Sequence, residues 1–160
     1  MNGLTAEVGY VSLIKKGEEL CGDRVETVRF EDSTTLVLAD GLGSGVKANI
    51  LSTLTSKIIA TMMANGMPVE ECVRTITRTL PICKVRKVAY STFTVMQVNQ
   101  QNEMTLLQFD NPSVILLRGG VSIHYPQEEL VIDGKKVIKS VVKVKPNDIF
   151  LTMSDGALYA

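Results

Sequence analysis

The chain has 160 residues with 17 basic and 17 acidic side chains, so its formal net charge is zero, and 45% of its residues are apolar. This composition is typical of one globular domain with a hydrophobic core. It argues against a nucleic-acid binder, because neutralising phosphates needs an excess of basic residues on some face. The apolar runs are far shorter than the ~20 residues that span a bilayer, so no membrane segment is expected. The three cysteines form no CxxC pair and are interpreted as reduced thiols of a cytoplasmic protein.

The first forty residues predict three strands. Loose alternation of apolar residues over 4–14 predicts the first strand, and CGDRVETVRF predicts a second that ends near Phe30. A short connection at 31–33 follows. The β-branched run 34–39 then predicts a central strand, buried on both faces, that stops at Asp40-Gly41.

Two helices are expected after the glycine-rich loop GLGSG. Ser44 would cap the first helix, which covers about 45–65 and ends at the Asn65-Gly66 stop. Pro68 suits the first turn of the second helix, over about 68–80. Apolar residues recur every four positions in the first helix and, with the flanking Leu51, Ile59 and Met63, predict an amphipathic helix with a broad apolar face: Ile50, Leu54, Ile58 and Met62.

From Ala89 onwards the apolar pattern changes to period two. It predicts a run of strands joined by tight turns: TFTVMQVN, MTLLQFD, SVILLRGG, ELVIDG, KKVIKSVVKVK and DIFLTM. Strands, then two helices, then many antiparallel strands indicate an α+β layer arrangement rather than a parallel βαβ fold.

Aspartate stands beside glycine at four places: Gly22-Asp23, Asp40-Gly41, Asp133-Gly134 and Asp155-Gly156. A type I′ hairpin turn accounts for Asp133-Gly134. Asp40 and Asp155 instead follow apolar strands, where a carboxylate needs a compensating cation or hydrogen bonds. If two or three such carboxylates converge, a divalent ion is favoured, and oxygen ligands without histidine suit magnesium or manganese. Helix capping and turn formation remain the alternative interpretation.

Other catalytic arrangements find little support. GLGSG lacks the Lys-Ser/Thr of a Walker A loop, the third glycine of a dinucleotide loop and the flanking glycines of a nucleophile elbow. His124 is the one histidine and has no partner at metal-ligand or triad spacing. It is interpreted as a surface or packing residue, and Cys21 therefore lacks a second histidine that could serve as its base.

Five segments, in their order along the chain, resemble the metal-dependent PP2C-type serine/threonine phosphatases: CGDRVE, LVLADGLGSGVKA, STFTVMQV, LLQFDNPSVILLRGG and DIFLTMSDG. The resemblance is to the bacterial branch typified by the stage II sporulation protein E phosphatase domain and the stressosome phosphatases. It implies a PP2C-like sandwich of two packed antiparallel β-sheets flanked by helices, with metals at one end. It extends over nearly the whole chain, so residues 1–160 are expected to form a single phosphatase domain.

The resemblance also implies a binuclear centre of Mn²⁺ or Mg²⁺ and names its residues. Asp40 would bridge the two ions, and Gly41 would supply its backbone carbonyl. Asp155 would ligate the first ion and Asp23 the second, directly or through water, with Glu26 as a less certain neighbour. The implied reaction is hydrolysis of phosphoserine or phosphothreonine on a bacterial regulatory phosphoprotein, without a covalent phosphoenzyme.

Three departures from the family pattern bear on this expectation. Leu42 stands where eukaryotic members carry a histidine, and their phosphate-holding arginine has no clear counterpart. The chain also ends five residues after Asp155, before the family's last metal aspartate, so the domain is expected to be incomplete at its C terminus. A catalytically silent PP2C-like binding or regulatory module is therefore the alternative. The substrate and the oligomeric state are not predicted.

Overall fold

The computed structural model describes residues 3–43, 45–79 and 91–159. Its elements in these ranges, in chain order, are β1 (Asp23–Phe30), β2 (Ser33–Gly41), α1 (Gly45–Ala64), α2 (Val69–Thr79), β3 (Ser91–Val98), β4 (Glu103–Phe109), β5 (Ile115–Arg118), β6 (Val121–Ile123), β7 (Glu128–Ile132), β8 (Lys135–Lys143), β9 (Ile149–Leu151) and α3 (Asp155–Leu158). None of these helices is long and apolar enough to cross a membrane.

The strands form two antiparallel sheets. The larger sheet has the order β1-β2-β3-β4-β8-β7, and the smaller has the order β6-β5-β9. Helices α1 and α2 cover one face of the larger sheet, and the smaller sheet packs on the other. The predicted α+β sandwich of two antiparallel sheets with flanking helices is confirmed.

Alternation along the strands divides the buried residues into two layers. The layer under the helices is large and includes Val37, Phe93, Val95 and Leu107 together with side chains of α1 and α2. The layer between the sheets is smaller and is built from Met96, Leu106 and Val114, with Leu36, Met104, Tyr125 and Phe150 packed against them. Because side chains alternate in direction, even-numbered positions of β2 face the smaller sheet and odd-numbered positions face the helices.

The inward face of α1 is one side of the broad apolar face that the sequence predicted. Ile50 and Leu54 are 51% and 47% exposed, and Ile58 and Met62 are half-buried at the margin of the helix layer. The residues that α1 buries lie one position further on and include small polar ones: Ala48, Leu51, Ser52, Thr55, Ser56, Ile59, Ala60 and Met63. Leu51, Ile59 and Met63 are thus buried, as the broad face predicted, whereas the residues at period four are not, because this helix is apolar on most sides and that period alone does not identify the buried face.

The N-terminal strand predicted over 4–14 is absent. Residues 3–14 run without strand pairing, and large apolar side chains such as Tyr10, Val11 and Leu13 are exposed. Hydrogen bonds of 3.4 Å from Arg29 to the Ala6 carbonyl and from Cys21 to the Leu13 carbonyl hold the segment against the body. An alternating pattern makes a strand only where a neighbouring strand completes the ladder, and no strand of the described structure does so here.

The predicted helix stop and hairpin turn are confirmed. Gly66 has φ +76°, and Met67 N–H donates to the Met62 carbonyl at 3.1 Å, which closes α1 in a Schellman motif. Asp133 and Gly134 have φ +49° and +77°, as a type I′ turn requires. The predicted cap at Ser44 and the end of the second helix at residue 80 lie outside the described residues.

Candidate metal centre

Two of the acidic turns meet at one end of the larger sheet. Asp23 begins β1 and Asp40 lies near the end of β2, and the two residues are direct cross-strand partners. Just beyond them, Gly41 N–H donates to the Gly22 carbonyl at 3.0 Å. Directly paired residues project from the same face with Cβ atoms about 5 Å apart. The sheet register therefore places both carboxylates side by side, on the face that looks toward the smaller sheet.

The third acidic turn reaches the same place from the other end of the chain. Ser154 follows β9, and its hydroxyl donates to Asp23 Oδ2 at 2.7 Å, across 131 residues of sequence. Asp155, the next residue, begins the short helix α3 and is exposed. The structure thus brings together all three aspartates that sequence analysis singled out.

Asp40 is the buried member of this acidic cluster, which we define as Asp23, Asp40 and Asp155. It is 8% exposed. Burial raises the pKa of Asp40 to about 8 from its usual 3.8, and the charge of Asp23 and hydrogen bonds with Asp155 and Asp23 add to the effect. A carboxylate in this setting has lost its hydration and faces negative neighbours, so ionising it requires a cation nearby.

The donor chemistry of the cluster fits a hard divalent ion. No ion pair in the described part of the chain includes Asp23, Asp40 or Asp155, so their charges are not neutralised by a nearby lysine or arginine. Within the described ranges, no three His, Cys, Asp or Glu side chains are placed to hold a metal ion together. Magnesium, however, usually binds through one or two carboxylates and keeps several waters. A site of two carboxylates and a backbone carbonyl is therefore compatible with this arrangement.

Gly41 is required by the approach of helix α1. A Cβ atom at Gly41 would lie 1.9 Å from the carbonyl oxygen of Ala48, so no larger residue fits there. Gly22 also lies close to α1, though less tightly, since its Cβ would lie 3.2 Å from the Ala48 Cβ. Asn49 Nδ2 also donates to the Cys21 carbonyl at 2.8 Å. The first turns of α1 therefore contact both the turn before Asp23 and the turn after Asp40.

Glu26 lies away from the cluster. It is three positions beyond Asp23 on β1 and so projects from the opposite face of the strand. There its carboxylate pairs with Arg24 Nε at 3.1 Å and with Lys57 Nζ of α1 at 3.0 Å. Its role is to fasten β1 to the helix layer. His124 is exposed just after β6, in agreement with its interpretation as a surface residue.

Sequence analysis missed two polar groups beside the cluster. Ser154 directly precedes Asp155, and no local pattern in the sequence indicates its contact with Asp23. Thr92, the cross-strand partner of Asp40, donates to Asn111 Oδ1 at 3.0 Å, and Asn111 Nδ2 donates to Thr94 at 3.1 Å. Asn111-Pro112 carries only a turn signal in the sequence, and its long-range contacts depend on the pairing of β3 with β4.

The fold agrees with comparison to known proteins. Residues 31–160 match the family described as Stage II sporulation protein E (SpoIIE). The chain belongs to the SpoIIE family. Comparison with curated proteins yields no significant match.

Solved structures of SpoIIE-like phosphatase domains share this fold. The PP2C phosphatase domain of Bacillus subtilis SpoIIE, with a fragment of its regulatory domain, is 21% identical at a TM-score of 0.79, covering 91% of this chain and 44% of that one. RsbX in complex with magnesium is 22% identical at a TM-score of 0.70, covering 91% and 72%. A Mycobacterium tuberculosis protein with RsbU and RsbW domains is 16% identical at a TM-score of 0.71, covering 90% and 41%. The chain thus spans less than half the length of the SpoIIE chain that it matches.

Proposed function

We propose that this SpoIIE-family chain forms a single PP2C-like domain of a metal-dependent protein phosphatase that hydrolyses phosphoserine or phosphothreonine on a bacterial regulatory protein. The observation that carries the proposal is the buried Asp40 carboxylate, flanked by Asp23 and Asp155 without a neutralising cation among the described residues. A cytoplasmic location is part of the proposal and is supported by the free thiols of Cys21 and Cys72.

Two Mn²⁺ or Mg²⁺ ions are proposed as the cofactor. Asp40 would bind both ions, Asp155 would bind the first and Asp23 the second. Gly41 would contribute its backbone carbonyl. The magnesium in the RsbX structure supports the choice of ion, because RsbX shares this fold. When bound, such ions activate water as a nucleophile and neutralise phosphoryl oxygens.

The protein's own groups would hold and orient this centre. Asp23 and Asp40 are fixed by the β1–β2 register, so their separation is set by backbone hydrogen bonds rather than by flexible side chains. Ser154 gives Asp23 a further hydrogen bond. Cys21 is the one thiol beside the cluster in the described structure. It donates a hydrogen bond to the Leu13 carbonyl and accepts one from the Asp23 N–H. That arrangement supports direct hydrolysis over a cysteinyl intermediate.

Asp40→Asn is the direct test of this activity. Phosphate release from a phosphoserine peptide is measured with Mn²⁺ and with Mg²⁺, for the unsubstituted chain and for the variant. We expect the rate to fall about 100-fold or more, since asparagine keeps the shape but not the charge that an ion needs. Asp133→Asn is the matched control, because Asp133 stands in an Asp-Gly turn outside the cluster and asparagine tolerates its positive φ. A rate for Asp40→Asn within a few-fold of the unsubstituted chain would refute the metal centre.

A catalytically silent PP2C-like binding module is the second candidate. It is favoured by the absence, among the described residues, of three acidic, histidine or cysteine side chains placed to hold one ion. Calorimetric titration separates the two candidates. Saturable Mn²⁺ binding that Asp40→Asn abolishes supports the phosphatase, whereas no saturable binding at millimolar Mn²⁺ supports the silent module.

A further inference from the structure

The hydroxyl of Ser154 is buried and is not used by its own helix. Ser154 is 6% exposed and occupies the N-cap position of α3, with φ −76° and ψ 163° and no side-chain capping bond. An N-cap serine ordinarily accepts a hydrogen bond from a backbone N–H in the first turn. Here the hydroxyl donates instead to Asp23 Oδ2, at 2.7 Å.

This bond constrains the Asp23 carboxylate in a particular way. A serine hydroxyl has one proton to donate, and a bond from it to a carboxylate is charge-assisted and strong. With Oδ2 engaged by Ser154 and a second side-chain hydrogen bond formed with Asp40, the Asp23 carboxylate is held in one orientation beside Asp40.

The same residue also fixes the turn that bears Asp155. The Ser154 carbonyl accepts from the N–H groups of Ala157 and Leu158 at 3.1 and 3.2 Å, so it anchors α3. Its side chain anchors the same point to β1. Asp155 is exposed on a helix of four residues, and the adjacent Ser154 bond ties that helix to the sheet.

We propose that Ser154 is a positioning residue of the metal centre: it orients the Asp23 carboxylate beside Asp40 for an ion and keeps the Asp155 turn beside it. The inference rests on the proposed function, since it concerns the same cluster. Carboxylates that ligate metals are themselves held by hydrogen bonds, and loss of such a partner weakens metal binding by about 10- to 100-fold.

The test compares three variants of the full 160-residue chain by calorimetric titration with Mn²⁺. Ser154→Ala removes the donor, and Ser154→Thr keeps a hydroxyl. Ser140→Ala is the matched control, because Ser140 is 3% exposed and its hydroxyl has no hydrogen-bond partner in the described structure. We expect a dissociation constant about 10- to 100-fold higher for Ser154→Ala, a value within about 3-fold of the unsubstituted chain for Ser154→Thr, and no change for Ser140→Ala. Circular dichroism at the titration temperature verifies that each variant is folded.

The outcomes separate this inference from the proposed function. Unchanged Mn²⁺ affinity in folded Ser154→Ala overturns the inference, even if the variant melts earlier, since the bond would then serve the fold alone. Loss of affinity in Ser140→Ala as large as in Ser154→Ala overturns it as well. If the unsubstituted chain binds no Mn²⁺, or Asp40→Asn binds as tightly, the proposed function fails and the inference fails with it.

Discussion

Asp40→Asn should stabilise the metal-free protein at neutral pH, although it removes a proposed metal ligand. Asp40 is nearly buried beside two other aspartates. At pH 7 the folded protein must either keep the Asp40 carboxyl protonated or keep it ionised. Both cost free energy, since pH 7 lies above the usual pKa of aspartate, and since an ionised Asp40 is poorly hydrated and is repelled by its neighbours. Asparagine has nearly the same shape and carries no charge, so the variant avoids both costs.

The size and sign of the expected change in the free energy of unfolding follow from the pKa of Asp40, which is about 8 in the folded protein against a usual 3.8. A raised pKa in the folded state favours folding below pH 3.8, and this contribution is lost as the pH rises toward 8. Over the roughly 3 pH units between 3.8 and 7, at 1.36 kcal/mol per unit, the upper limit of the loss is about 4 kcal/mol. We expect about 1–3 kcal/mol, since Asp23 and Asp155 are less buried and water screens them.

The assay is urea denaturation in a chelating buffer, with the unsubstituted chain and Asp40→Asn compared at pH 4 and pH 7. The difference between the two proteins is diagnostic, because other carboxylates titrate in the opposite sense. Hydrogen bonds from Arg78 and Arg118 lower the pKa of Asp133 and Asp148, and these contributions cancel in the difference. The advantage of the variant should be near zero at pH 4 and appear at pH 7. An equal difference at both pH values, or a less stable variant at pH 7, would refute the reasoning.

Three further predictions concern the scaffold. Gly41→Ala should cost about 2 kcal/mol or more in urea denaturation, because the added Cβ would lie 1.9 Å from a helix α1 carbonyl; unchanged stability would show that α1 can withdraw. Leu51→Ala should cost about 2–4 kcal/mol and Leu54→Ala less than about 1, because they are 7% and 47% exposed; the reverse order would show that the helix is rotated. Burial raises the pKa of Glu70, but the hydrogen bond from Lys139, a backbone hydrogen bond and the Lys139 charge together outweigh burial and lower that pKa. Lys139→Met should therefore cost about 0.5 kcal/mol at pH 7 and little at pH 3, where Glu70 is protonated; an equal cost at both pH values would exclude the ion pair as its source.

Local signals were sufficient for much of the fold and for the members of the acidic cluster. Strand β2 could be predicted because a β-branched apolar run ends at Asp40-Gly41. The end of α1 could be predicted because Asn65-Gly66 is a typical helix stop, and Gly66 has the positive φ that such a stop requires. The sequence order of strands and helices then indicated the α+β class. The three aspartates were singled out because each stands beside a glycine at the end of a predicted element.

The missed features depend on contacts between distant parts of the chain. The buried face of α1 could not be predicted because Leu51 and Leu54 are equally apolar, and only docking on the sheet distinguishes them. The segment 4–14 has the alternation of a strand but lacks a paired neighbour in the described structure. The bond between Ser154 and Asp23 joins residues 131 positions apart, and no local rule predicts it.

The position of α1 follows from the same packing that forms the acidic cluster. Its first turn contacts Gly41 and Gly22 through Ala48, and Asn49 holds the Cys21 carbonyl. Because α1 approaches position 41 too closely for any side chain there, a shift of α1 toward the sheet would displace the turn that carries Asp40. Asp23 moves with it through the β1–β2 register, whereas Asp155 is tied to them through side chains, by its own hydrogen bond with Asp40 and by that of the adjacent Ser154 with Asp23. The stiffness of the cluster is therefore uneven: the backbone pairing of β1 with β2 holds Asp23 and Asp40, whereas side-chain hydrogen bonds hold Asp155.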